Sequence, residues 1–168
     1  MSVKVLGGWA KGFNLKVPSG DQVRPTSVML KRRVFDSIQN LEGVIFVDGC
    51  AGSGAVGIEA WSRGATEVYL LEKNPKVFRN LEENVKRLQG KYPKETKERP
   101  LKVRLLDIGK WVNAFQKIYA EKKEKSSFVF FFDPPYNQIS LYEEVINKKM
   151  CGDSWYEGDL WIEADSKI

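Results

Sequence analysis

Residues 44–57 read VIFVDGCAGSGAVG, and this stretch decides the fold. The apolar run Val44–Val47 meets an acid and a group of glycines, which predicts a buried strand turning sharply into a helix. Gly52, Gly54 and Gly57 satisfy the G-x-G-x-x-G spacing of nucleotide-binding turns, where glycines let the backbone approach a ligand closely. The alternative is a tight strand-to-helix turn that binds no ligand.

The same alternation of apolar strands and amphipathic helices continues along the chain. Strands with no polar face are typical of a parallel sheet covered by helices on both sides. We therefore predict an α/β, Rossmann-like fold with a mostly parallel sheet, preceded by a small N-terminal β-hairpin whose loop is rich in glycine. The predicted strands are 3–6, 13–17, 44–47, 68–71, 101–106, 128–132 and 160–162. The predicted helices are 26–41, 54–63, 74–89, 110–120 and 139–149, and 90–100 is predicted to be a charged loop.

The acids after the strands indicate which nucleotide the turn binds. Asp48 ends the first long strand, four residues before Gly52, where a carboxylate repels a pyrophosphate but attracts an ammonium group. S-adenosylmethionine carries an ammonium and a sulfonium and no phosphate, so this position favours it over NAD. Glu72 ends the next strand and suits ribose hydroxyls. Asp107 suits an adenine amino group or, equally well, caps the helix that follows it. The predicted cofactor site comprises Asp48, Gly49, Cys50, Ala51, Gly52, Gly54, Glu72, Lys73, Asp107, Ile108 and Asp133.

A second motif, Asp133-Pro134-Pro135-Tyr136, follows the apolar run 128–132. Proline fixes φ and has no N–H, so this corner is stiff. Asp133 and the carbonyl of Pro134 can accept hydrogen bonds from an exocyclic amino group, while Tyr136 offers a flat face to a base. We therefore predict that Asp133, Pro134 and Tyr136 form the catalytic corner. The alternative is an ordinary turn after a strand.

Composition narrows the possible functions. The chain has 168 residues, two cysteines and no histidine, so a zinc site or a histidine-based triad is nearly excluded and we predict no metal. Cys50 is expected to be a small packing residue. The cysteine content fits a reducing cytoplasm, and neither a signal peptide nor a membrane span is expected. The net charge of +5 permits a polyanionic partner or simply a solvated basic surface.

Together these motifs carry a family resemblance. Asp48, the glycine turn, Glu72, Asp107 and the Asp133–Tyr136 corner follow the order and spacing of class I methyltransferases acting on amino groups. The additional segments 5–12, Arg24-Pro25-Thr26 and 51–60 resemble the bacterial RsmD family, over residues 3 to about 164. The resemblance implies methyl transfer from S-adenosylmethionine to the N2 amino group of a guanine in small-subunit (16S) ribosomal RNA.

The resemblance also implies roles and partners. Lys11, Lys16, Arg24 and Thr26 are expected to contact RNA, although a structural salt bridge is an equally common role for an arginine such as Arg24. The resemblance also divides the chain into a hairpin extension (1–25) and a methyltransferase domain (26–168). The expected partner is small-subunit ribosomal RNA or an assembling 30S particle. The protein is expected to be a monomer in the cytoplasm. The family's sheet usually ends in two further strands, for which this sequence has no counterpart.

Three alternatives remain. The same corner serves methyltransferases that act on adenine N6 of DNA or RNA, or on a glutamine side chain. The glycine turn alone would also suit a nicotinamide-dependent oxidoreductase. A non-catalytic RNA-binding assembly factor would keep the fold without the reaction.

Overall fold

The structure is a computed structural model, and it describes residues 2–17, 34–36, 40–120, 127–133 and 157–162. The strands are β1 Ser2–Lys4, β2 Asn14–Lys16, β3 Val44–Asp48, β4 Glu67–Glu72, β5 Leu101–Leu105, β6 Ser127–Phe132 and β7 Glu157–Ile162. The helices are α1 Ala55–Ser62, α2 Pro75–Lys91, α3 Pro93–Glu98 and α4 Ile108–Ala120. No helix within these ranges is long and apolar enough to cross a membrane.

The main sheet has five strands in the order β5-β4-β3-β6-β7, and every neighbouring pair is parallel. The chain leaves β3 towards β4 and β5, and later returns to place β6 on the other side of β3. This reversal of strand order makes a crevice at the carboxyl ends of β3 and β6, where open α/β sheets bind ligands. The predicted parallel α/β fold is confirmed.

The alternating side chains of the strands build two cores. Phe46, Leu70 and Phe131 face α1, α2 and the hairpin, whereas Val47 and Phe130 face α4. All five are at most 2% exposed, which explains why the strands read as unbroken apolar runs rather than as alternating ones. Burial of both faces fixes the register, because a slip of one residue would exchange the two cores.

The N-terminal hairpin pairs β1 with β2 in antiparallel register and is confirmed. It is held against α1 by a buried carboxylate, Glu59, whose two oxygens accept the N–H groups of Leu6 and Gly7, each at 2.7 Å. At the next turn of α1, the backbone oxygen of Ser62 accepts the Trp9 N–H at 3.1 Å. Gly8 has φ 69°, and a Cβ there would lie 1.7 Å from the same oxygen, so this close approach requires glycine.

Several boundaries differ from those predicted. The segment 90–100, expected to be a loop, contains α3, because Pro93 opens the helix at its first position, where a missing N–H costs nothing. The last strand starts at Glu157 rather than at residue 160. The predicted helix 139–149 and most of the helix 26–41 lie outside the described residues, as do Pro134, Tyr136, Arg24 and Thr26. The division at residue 25 remains a prediction.

Candidate active site

Four acids follow four neighbouring strands of the sheet. Asp48, Glu72, Asp107 and Asp133 stand at or just beyond the carboxyl ends of β3, β4, β5 and β6. Glu72 pairs with Leu105, and Asp107 follows Leu105 by two residues. In the same way, Asp48 pairs with Phe131, and Asp133 follows Phe131 by two residues. Strands lie about 4.8 Å apart, so this row of acids crosses about 14 Å of the sheet edge. The structure thus brings together the four acids that the sequence singled out.

The glycine turn after β3 is hydrogen-bonded to both neighbouring strands. The Gly49 N–H donates to the Phe131 carbonyl of β6 at 2.9 Å, and the Ala51 N–H donates to the Leu71 carbonyl of β4 at 2.8 Å. A Cβ on Gly49 would lie 2.2 Å from the Ile108 side chain. The turn is therefore fixed on three sides, and its position is set by the sheet rather than by a ligand.

Gly52 differs from its neighbours because space alone does not require glycine there. Its φ is 56°, and an added Cβ would meet no atom closer than the Cys50 carbonyl oxygen at 4.0 Å. A side chain would be strained in this left-handed conformation and would extend into open space above the turn. By contrast, a Cβ on Gly57 would lie 2.3 Å from Leu70, so Gly57 allows α1 to pack closely on the sheet. The first glycine of the motif leaves open space above the turn, and the last serves packing.

Asp48 is the most buried of the four acids, at 1% exposure. Its Oδ2 accepts the Gly57 N–H at 2.9 Å, so it caps an N–H in the first turn of α1, where the partial positive charge of the helix also favours an anion. Burial nevertheless raises the pKa of Asp48 to about 7, and the charges of Asp133 and Glu72 add to the increase. Because ionisation of this buried carboxyl group is unfavourable, Asp48 is suited to a cationic partner that stabilises its charged form.

Glu72 is half-buried and already holds the backbone around it. Its Oε2 accepts the Gly52 N–H at 3.1 Å, and its Oε1 accepts the Asn74 N–H at 2.8 Å. Asn74 in turn caps α2 through its side chain. Each carboxylate oxygen has a second lone pair, so Glu72 can both position the turn and accept ribose hydroxyls.

Asp107 and Cys50 have clear local roles. Asp107 Oδ1 accepts the Gly109 N–H at 2.9 Å, so it performs the helix-capping role considered from the sequence. A carboxylate with one capping contact keeps acceptor capacity for an amino group. Burial raises the pKa of the Cys50 thiol well above its ordinary value, and the carboxylates of Asp48, Glu72 and Asp133 raise it further. The thiol stays protonated, as expected of a packing residue rather than a nucleophile.

The two lysines of the hairpin lie in different surroundings. Lys16 forms an exposed ion pair with Glu83 of α2, and Lys11 lies exposed in the hairpin loop. The turn at Gly8–Phe13 packs on the last residues of α1, whereas the acids lie near its first residue. The hairpin turn that carries Lys11 and the acid Asp48 therefore contact α1 at points about 8 Å apart along its axis.

Sequence reasoning gave Glu59 and Asn84 no role of their own. Asn84 is fully buried, donates to the carbonyls of Lys16 and Ser53 at 2.8 and 3.0 Å, and accepts the Lys16 N–H at 2.9 Å. It thus ties β2 to the glycine turn. Asn84 interrupts the apolar stripe of α2, and Glu59 lies on the buried helix α1, four residues before Arg63. In both cases a polar residue on an apolar helix face is the sequence signal that could have identified the residue.

A parallel sheet in this strand order, with a glycine turn and acids at the carboxyl ends of its strands, is the class I methyltransferase fold. Within that class, the chain belongs to the family described as conserved hypothetical protein 95, whose model matches residues 3–167. This is the RsmD family of the sequence resemblance.

Individual relatives agree with this assignment. The chain is 26% identical to ribosomal RNA small subunit methyltransferase D of Escherichia coli (strain K12), over 99% of this chain and 75% of that protein. It is 28% identical to the protein of the same name from Haemophilus influenzae, over 98% and 79%, and 31% identical to YlbH of Bacillus subtilis, over 83% and 70%. The solved structure of yhhF from Escherichia coli has a TM-score of 0.74 and 24% identity, covering 100% of this chain and 85% of that one; this likeness concerns the fold.

Proposed function

We propose that this chain transfers a methyl group from S-adenosylmethionine to the exocyclic N2 amino group of a guanine in small-subunit ribosomal RNA. The observation that carries the proposal is the position of Asp133. It follows β6, directly beside the strand that ends in buried Asp48, and its charge acts on Asp48. A donor held at Asp48 and an amino group held at Asp133 would therefore be neighbours across the switch point of the sheet.

The residues present fit S-adenosylmethionine. The carboxylates of Asp48, Glu72 and Asp133 make the crevice electronegative, which suits an ammonium and a sulfonium and opposes a pyrophosphate. The path above Gly52 is open. In this assignment Asp48 holds the ammonium, Glu72 the ribose and Asp107 the adenine amino group, while Gly49, Cys50, Ala51, Gly54, Lys73 and Ile108 surround them.

When bound, the cofactor supplies an activated methyl group, so the protein need not generate an electrophile. The protein's contribution is alignment and charge stabilisation. A guanine amino group is a poor nucleophile because its lone pair is delocalised into the ring. Hydrogen bonds from that group to Asp133 and the Pro134 carbonyl would favour a more tetrahedral nitrogen. The Asp133 carboxylate would stabilise the positive charge that develops on this nitrogen and would accept the proton that the nitrogen loses. Tyr136 would stack on the unstacked base.

The ribosomal RNA substrate is supported by relatives that bear the name ribosomal RNA small subunit methyltransferase D. The choice of guanine N2 over adenine N6 rests on the RsmD resemblance. The RNA-contacting roles of Lys11, Lys16, Arg24 and Thr26, the monomeric state and the cytoplasmic location also remain predictions.

The test combines tritiated S-adenosylmethionine with unmodified small ribosomal subunits and with protein-free small-subunit RNA, followed by mapping of the labelled nucleotide. We expect label on N2 of one guanine. Asp133→Asn should lose transfer by at least about 100-fold, because one acceptor at the reacting nitrogen is weakened, while its affinity for S-adenosylmethionine changes little.

Glu42→Gln is the matched control, because it neutralises an exposed acid before the amino end of β3, at the opposite edge of the sheet. Label on N6 of an adenine would show that the target base is adenine and not guanine. Tight RNA binding without any transfer would favour the assembly-factor alternative, and normal turnover by Asp133→Asn would refute the role given to Asp133.

A further inference from the structure

One exposed aromatic side chain lies at the edge of the sheet opposite to the acids. Trp9 is 42% exposed, and its backbone N–H is bonded to Ser62, the last residue of α1. The acids meet the other end of the same helix, where Asp48 accepts the Gly57 N–H. These two contacts are five residues apart on α1, which is about 8 Å along the helix axis.

A guanidinium group lies against Trp9. Arg99 Cζ lies 4.4 Å from the centre of the Trp9 ring system, and its Nη1 donates to the Gly64 carbonyl at 3.1 Å. The Arg99 carbonyl accepts the indole N–H of buried Trp61 at 2.9 Å. Arg99 is thus fixed by two contacts over one face of the indole, which leaves the outer face of the guanidinium and the opposite face of the ring as flat groups of the kind on which unpaired bases stack.

Basic side chains are concentrated around this pair. Residues 86–99 contain six Lys and Arg and two Glu, so this segment has a net charge of +4, against +5 for the whole chain. Lys91 Nζ lies 5.8 and 5.4 Å from the ring centres of Phe13 and Tyr92, and Tyr92 is in contact with Trp61. The basic segment 86–99 therefore reaches the exposed Trp9 ring through Arg99, and Lys91 lies against the same group of aromatic rings.

We propose that Trp9, Lys11, Lys91 and Arg99, here called the Trp9 patch, form a second RNA-binding surface that takes an unpaired base on Trp9 and its phosphates on the lysines. The proposal rests on the proposed function, because it assumes that the substrate is RNA. Aromatic stacking next to guanidinium and ammonium groups matches single-stranded RNA better than an acidic protein surface, which would use the charges but not the ring.

The position of the patch has a consequence for substrate size. The catalytic corner and Trp9 lie towards opposite ends of α1, so a single nucleotide cannot occupy both. The patch should therefore contribute to the KM for long RNA and contribute nothing to reaction with free guanosine. A purely structural role for Trp9 would affect both substrates alike.

The test uses the full chain with in-vitro-transcribed small-subunit RNA. Trp9→Leu is expected to raise the Kd and the KM for this RNA about tenfold, through loss of one stacked base, with kcat and the Kd for S-adenosylmethionine unchanged. Trp9→Phe should restore most of the affinity, because it keeps an aromatic face. The double variant Lys11→Gln, Lys91→Gln should reduce the dependence of log Kd on log salt by about 1.5, the loss expected for two phosphate contacts.

Lys102→Gln is the matched control: this lysine also lies over a ring, 5.0 Å from Tyr69, but on the α4 side of the sheet, and it should leave RNA binding unchanged. The proposal is overturned if Trp9→Leu binds the RNA like the wild type. It is also overturned if poly-glutamate displaces the RNA equally well from the wild type and from Trp9→Leu, and this competition changes only in the double lysine variant. Should Trp9→Leu fail to fold, an unchanged salt dependence in the double lysine variant overturns it instead. If the wild type binds no ribosomal RNA, the proposed function itself has failed.

Discussion

Replacing Asp48 by Asn should stabilise the protein without ligand and at the same time weaken cofactor binding. Asp48 is 1% exposed, and burial raises its pKa from an ordinary 3.8 to about 7. Asn has nearly the same shape, and its side-chain oxygen can still accept the Gly57 N–H that Asp48 Oδ2 now accepts. The substitution therefore removes the charge and keeps the bond from Gly57, while the contact that the Cys50 N–H also makes with the carboxylate is weakened.

The size of the effect follows from the two pKa values. Because the folded-state pKa is the higher one, the folded protein keeps a proton that the unfolded chain releases as the pH rises from about 4 to about 7. The free energy of unfolding therefore decreases over this window, by at most about 4 kcal/mol for a difference of this size. Above pH 7 the full cost of the buried charge is present, and Asp48→Asn should be more stable by up to that amount. Near pH 4 the two proteins should be nearly equal.

Urea unfolding at a series of pH values from 4 to 8.5 measures this directly. We expect the difference between Asp48→Asn and wild type to grow with pH and to level off above pH 7. Glu83→Gln is the control, because it removes an exposed carboxylate whose pKa is lowered by its contact with Lys16. This substitution should not increase the free energy of unfolding at high pH. A pH-independent difference, or a loss of stability at pH 8, would refute the assignment of a costly buried charge to Asp48.

Calorimetry completes this prediction. An ammonium group paired with ionised Asp48 lowers the pKa of that carboxyl, so binding of S-adenosylmethionine below pH 7 should release a proton. Its affinity should fall about tenfold for each pH unit below 7, and Asp48→Asn should remove this pH dependence together with most of the affinity. An affinity that is constant from pH 5.5 to 8 would contradict a contact between Asp48 and the ammonium.

Three further outcomes are expected. Gly8→Ala should lower stability by about 3–5 kcal/mol in urea unfolding, because of its positive φ and the 1.7 Å approach of an added Cβ to the Ser62 oxygen. Gly12→Ala is the control: Gly12 has φ 84° and open space around it, so this substitution should cost about 1–2 kcal/mol. Equal losses would show that the hairpin contact is not tight. Glu59→Ala should cost about 3–5 kcal/mol in thermal or urea unfolding, since it frees two backbone N–H groups, and a neutral result would remove Glu59 as the anchor of the hairpin. Arg24→Glu should weaken RNA association and its salt dependence while cofactor affinity stays constant; an unchanged salt slope would favour a salt bridge instead.

The main sheet and the positions of the acids could be predicted because each depends on local pattern. Unbroken apolar runs such as 128–132 require burial on both faces, and an acid after each run must then lie at one edge of the sheet. The contacts that fix the hairpin could not be predicted in this way. Glu59 and Asn84 act across more than 50 residues of sequence, and no periodicity links them to their partners.

The helix α3 was missed for a different reason. Its sequence, PKETKE, has no apolar stripe and none of its residues is buried, so hydrophobic periodicity carries no signal for it. Proline at the first helical position was the available sign. Likewise, the sequence shows Trp9 only as one more aromatic residue in a glycine-rich loop, and the contact with Arg99, 90 residues away, cannot be predicted from it.

The measurement that tests the central claim most directly is a crystal structure of the chain soaked with S-adenosylmethionine or its demethylated product. We expect the ligand at the carboxyl ends of β3 and β4, with its ammonium at Asp48 and its sulfur pointing towards Asp133. Density for the ligand at any other place, or its sulfur directed away from Asp133, would contradict the account.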